Sequence, residues 1–156
     1  MFRPCFAGYP AGVTDTAYPG AALGLPEHGR GSVATFPRRL AAIFIDWLAC
    51  TFIALAVLQV PWGGLTGTQS LLPLGLFALE NLLLVGTGGF TLGHGIMGLR
   101  VHHLGALQAG RASMPGPRAA LIRTVLLCLV IPAFIVDRHG RGLHDRAAGT
   151  VILRSR

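Results

Sequence analysis

Residues 38–62 read RRLAAIFIDWLACTFIALAVLQVPW, and this stretch decides the fold. Between positions 40 and 60 only Asp46 and Gln59 break an unbroken apolar run. A helix of that length rises about 31 Å, which matches the hydrocarbon core of a bilayer. Pro61 stops it, and Trp62 stands where an interfacial aromatic belongs. Asp46 lies about 9 Å past Leu40 at 1.5 Å per residue. An ionised carboxylate at that depth costs several kcal/mol unless it faces protein or water and finds a partner. Arg39, seven residues earlier, projects from the same face, and Ala42, Cys50 and Ala54 fill the rest of it. Small residues at this spacing let helices approach closely in lipid, so the stripe is predicted to point inward.

Two more apolar runs follow. Residues 70–90 carry Pro73 in the first turn, the pair Glu80 and Asn81 at the centre, and Gly86, Gly88 and Gly89 at the end. Glu80 sits at the costliest depth, where it is either neutral or bound to a cation or an Arg. Residues 119–136 are shorter, contain Pro132 and place Arg123 one turn in. Two β-branched segments after glycines, 99–102 and 150–153, are predicted to be short strands that pair.

Composition agrees with a membrane location. The 156 residues are 52% hydrophobic and only 12% charged, against about 25% charged in soluble domains. The net charge is +7, carried by 13 Arg and no Lys. These Arg flank the apolar runs instead of forming a soluble basic face, which argues against nucleic acid. The linker 61–69 has no Arg, whereas residues 1–39, 91–118 and 137–156 hold four, three and five. By the positive-inside rule those three segments are cytoplasmic and the linker is outside. A full third crossing would put the most Arg-rich segment outside. The expected architecture is therefore all-α, with two full transmembrane helices, a re-entrant third segment and a short cytoplasmic strand pair. Three full spans are the alternative. Residues 1–36, rich in Gly, Pro and Ala, read as a flexible cytoplasmic tail, and residues 37–153 as the transmembrane domain.

Several chemistries find no support. Three Cys make no spaced framework, and no pair of His has the helical spacing of a zinc site. No metal or other cofactor is expected. There is no nucleophile elbow, no nucleotide fingerprint and no paired-carboxylate cleft, so an enzyme is not expected.

Three motifs in order are similar to the RDD family of small integral membrane proteins, named for one Arg and two Asp. The first is Arg39, Leu40, Ala41 and Ala42 followed by Asp46. The second is Thr91, Leu92, Gly93 and His94, then Gly98, Leu99, Arg100 and Val101. The third is Arg141, Gly142, Leu143, His144, Asp145 and Arg146, then Ala148, Gly149, Thr150 and Val151. The resemblance implies that Arg39, Asp46 and Asp145 take the three name positions. Where the family often carries Lys after Thr-Leu-Gly, this chain has His94. It also implies transport of an ion or small solute. Two or three spans enclose no pathway in one copy, so transport implies a homo-oligomer or a membrane partner protein. A non-transporting helper or structural subunit, bound to such a partner or to anionic lipid, is the alternative. Arg39, Asp46, Glu80, Arg123 and Asp145 are the expected polar core. From depth alone, Asp46 is expected to pair with Arg123, and Arg39 with Asp145 or headgroups.

Overall fold

A computed structural model describes residues 18–57, 59, 71–111, 114–129 and 140–156. Among them are six helices and one pair of strands. Helix α1 (Phe36–Val57) is, among the described residues, the one helix long and apolar enough to cross a membrane. Pro37 starts it, where a missing N–H costs nothing. Its last turn, Ile53–Val57, widens to π geometry. Helix α2 (Leu72–Gly88) is apolar but shorter, and widens in the same way over Asn81–Val85. The Asn81 side chain donates to the Phe77 carbonyl there (3.0 Å). Then come α3 (Leu92–Ile96), β1 (Leu99–His103), α4 (Leu104–Gln108), α5 (Gly116–Cys128), α6 (Leu143–Ala147) and β2 (Thr150–Arg154).

The strand pair expected from the sequence exists. β1 and β2 run antiparallel, with Val101 opposite Ile152 and Arg100 opposite Leu153. Residues 31–34 add to the outer edge of β2, through Ala34 N–H to the Ile152 carbonyl and Arg154 N–H to the Ser32 carbonyl (both 2.9 Å). Ser32, Val33 and Ala34 are buried. Within the segment 1–36 expected as a tail, residues 31–34 are thus held to the sheet. Three backbone bonds and two buried apolar side chains hold 31–34, which composition alone does not reveal. Residues 1–17 lie outside the described part.

The three longer helices are packed inside out. α1 turns Arg39, Ala42, Asp46, Cys50 and Ala54 inward and leaves Phe44 and Phe52 60% and 67% exposed. α2 exposes Leu79, Leu83 and Leu84, and α5 exposes Leu121, Ile122 and Val125 around a buried Arg123. Many large apolar side chains cover the outside, and the middle holds small and polar ones together with Phe77, Val85 and Leu127.

The sheet lies across one end of this bundle. Ala42, Val85 and Ala120, one from each long helix, form a single core with Leu99, Val101 and Ile152. Gly89, at φ 73°, ends α2 beside the sheet, its carbonyl accepting Val101 N–H at 2.7 Å. From that end α5 runs inward until Leu127 packs with Cys50 and Phe77. Cys50 lies about 16 Å along α1 from Arg39, at 1.5 Å per residue. By Gly140 the chain is back at the sheet end, where its carbonyl accepts Arg39 Nη1 at 2.5 Å. The break expected at Pro132 lies outside the described residues.

Candidate functional site

Two buried acidic centres sit where the bundle meets the sheet. The first is built on Asp145, in α6, with a fully buried side chain. Arg39 reaches it from α1 and Arg123 from α5, each forming an ion pair with its own carboxylate oxygen. Thr150, at the start of β2, accepts from Arg123 Nη1 (3.1 Å), and its Oγ1 lies 3.2 Å from Asp145 Oδ1. His144 Nε2 stands 3.5 Å from Oδ2. Two guanidinium groups on one carboxylate leave this centre with a net positive charge.

The second centre is built on Asp46, 1% exposed. Its Oδ2 accepts the Thr91 hydroxyl and its Oδ1 accepts the Gly93 N–H, both at 2.5 Å. This needs α3 pressed against α1, and Gly93 permits it. A Cβ there would overlap the Ala42 carbonyl and stand 2.9 Å from Asp46 Oδ1. Glu80 completes the centre from α2. It couples electrostatically to Asp46, accepts the Cys50 thiol (3.2 Å), and accepts Leu92 N–H (3.3 Å). No arginine lies within ion-pairing distance of Asp46 or Glu80 among the described residues.

His94 joins the two centres. Its Nδ1 is 2.5 Å from Thr91 Oγ1 and 3.9 Å from Asp46 Oδ2. Burial, and then the positive charge of Arg39, lower its pKa from 6.5 to about 4, so the ring is neutral near pH 7. The 3.9 Å approach is therefore a relay across Thr91 and not an ion pair. Donor counting fixes its two states. When Asp46 is ionised, His94 Nδ1–H donates to Thr91, and Thr91 donates to Asp46. When Asp46 holds a proton, the chain reverses and His94 carries its own proton on Nε2. His94 also lines a cavity of about 20 Å³, room for a water-sized molecule, together with Arg39, Arg123, His144 and apolar side chains such as Ile43 and Ile152.

All five expected core residues thus gather near this end, but their pairing differs from expectation in one respect. Arg39 does meet Asp145. Arg123 also meets Asp145, so the expected Asp46–Arg123 pair is corrected. Matching depth along two helices says nothing of the direction in which each side chain points, and α6 lies on the Arg123 side. Thr91 and His94 were not recognised as partners of Asp46. The signal was their three-residue spacing at a helix start, with the Thr91 hydroxyl accepting His94 N–H (3.3 Å) as a cap. No cluster of three or more His, Cys, Asp or Glu among the described residues could hold a metal ion. Compared with protein-family models, curated proteins and solved structures, the chain matches none.

Proposed function

We propose that this is a multi-pass membrane protein of RDD type that takes part, as an oligomer, in moving an ion or small solute. The N-terminus is cytoplasmic, α1 and α2 cross, and the third apolar run, 119–136, is re-entrant. The inside-out packing of all three helices supports a lipid environment. The contact between Arg39, at the start of α1, and Asp145, near the C-terminus, supports both on one side of the membrane.

The observation that carries the transport reading is the division of charge. Both arginines buried in the bundle serve Asp145, while Asp46 and Glu80 share a neighbourhood with no counter-ion of their own among the described residues. Two neighbouring carboxyl groups within a membrane mark a place for a proton or a cation. The pair is thus the part that exchanges its occupant, and Asp145 is the part that holds the helices together. The relay through Thr91 passes the protonation of Asp46 to the His94 ring and so to the cavity.

Purified protein in liposomes tests this. A proton or alkali-cation flux is expected that Asp46→Asn and Glu80→Gln each reduce at least about tenfold, the loss of a charged hydrogen bond worth ~1.5–3 kcal/mol. Flux equal to that of protein-free liposomes, or unchanged in both variants, would overturn the proposal.

A further inference from the structure

At the sheet end a groove runs between residues 24–31, the start of β1 and the end of β2. Arg30, Arg100, Arg154 and Arg156 line it, and no Asp or Glu does. Four guanidinium groups thus face one space, with no acidic side chain among the described residues that line it. Arg156 is held in place: its Nη2 donates to the Gly95 and Ile96 carbonyls at 3.0 and 2.8 Å. It lies across Gly98, where a Cβ would stand 2.6 Å from its Cγ. Arg100 stacks 5.3 Å from the centre of the Phe90 ring. Arg154 Nε is a buried donor without a hydrogen-bond partner.

The groove is not purely polar. Phe90 and Leu107 form part of its wall, and beside it α3 presents Leu92 and Ile96, each at least half exposed. A small soluble anion would use the arginines and leave this apolar rim in water. An amphipathic anion would use both.

We propose that this groove binds the phosphate headgroup of an anionic phospholipid, with an acyl chain laid over Phe90, Leu92 and Ile96. Its position fits that occupant. The sheet packs on Ala42, at the start of the helix that can cross a membrane, which puts the groove at headgroup level. The proposal rests on α1 lying in a bilayer and is independent of whether anything is transported. A flux assay can fail while lipid binding holds, and the reverse.

The test is native mass spectrometry of the full chain in detergent, titrated with phosphatidylglycerol, phosphatidylcholine and glycerol 3-phosphate. Phosphatidylglycerol should be retained at least about tenfold more tightly than phosphatidylcholine. At about fivefold per arginine near a headgroup, Arg30→Gln, Arg100→Gln and Arg154→Gln together should weaken it roughly 100-fold. Arg111→Gln, outside the groove, should leave it unchanged. If the triple variant does not fold, Arg30→Gln and Arg154→Gln singly should each cost about fivefold. Equal retention of the two lipids overturns the proposal. So does equal binding by wild type and the arginine variants, or glycerol 3-phosphate binding as tight as phosphatidylglycerol, which would mark a soluble-anion site.

Discussion

Replacing Asp145 by Asn keeps the shape of the side chain and removes the one charge that two buried guanidinium groups share. Arg39 and Arg123 have side chains only 6% and 2% exposed, so neither can turn to water without opening the bundle. Breaking a buried pair from one side typically costs 3–5 kcal/mol, because the partner charge is stranded. Asp145→Asn takes the shared carboxylate from both, so its cost should lie toward the top of that range, about 5 kcal/mol. Arg123→Gln leaves Asp145 still paired with Arg39 and should cost less, roughly 2–3 kcal/mol for a charged hydrogen bond lost from a buried network. Combining the two substitutions removes one stranded charge, and the double variant should be more stable than the sum by about 1–3 kcal/mol. Thermal unfolding of the purified protein in detergent, with monodispersity as a check, reads all three. Additivity within ~0.5 kcal/mol would refute the shared-carboxylate reasoning, as would an Asp145→Asn variant no less stable than Arg123→Gln.

Gly93→Ala should separate α3 from α1, since its Cβ would overlap the Ala42 carbonyl. Overpacking of this kind costs about 1–3 kcal/mol or more, and a melting temperature unchanged from wild type would contradict it. His94 supplies a pH dependence. The unfolded chain protonates it below about 6.5, whereas the folded chain resists until about 4. Its contribution is therefore complete above pH 6.5 and lost as pH falls toward 4, by about 3 kcal/mol in all. His94→Asn keeps a polar atom near Thr91 without that titration, so its melting temperature should fall less over the same interval; parallel curves would remove His94 as the cause. Reporters fused at either end should give the same membrane side, because Arg39 and Asp145 are in contact. Reporters on opposite sides would remove the re-entrant reading of α5.

Much of this organisation was legible along the chain. An apolar run interrupted at Asp46 is enough to give α1, because helix length and lipid thickness are both fixed lengths. The stripe of Arg39, Ala42, Asp46, Cys50 and Ala54 follows from helical periodicity, and all five are buried. β-branched segments after Gly98 and Gly149 gave both strands and their pairing, since unpaired backbone beside a membrane demands a partner. Tertiary structure alone decided which charges meet. One-dimensional spacing fixes the depth of Arg123 but not the direction in which α5 turns it, and α6 supplied Asp145 where depth pointed to Asp46. It alone brought Thr91 and His94, 45 and 48 residues downstream, onto Asp46, because the contact depends on Gly93 letting two backbones touch. And it alone recruited residues 31–34 to the sheet, since a free strand edge on β2 selects its partner by position and not by composition.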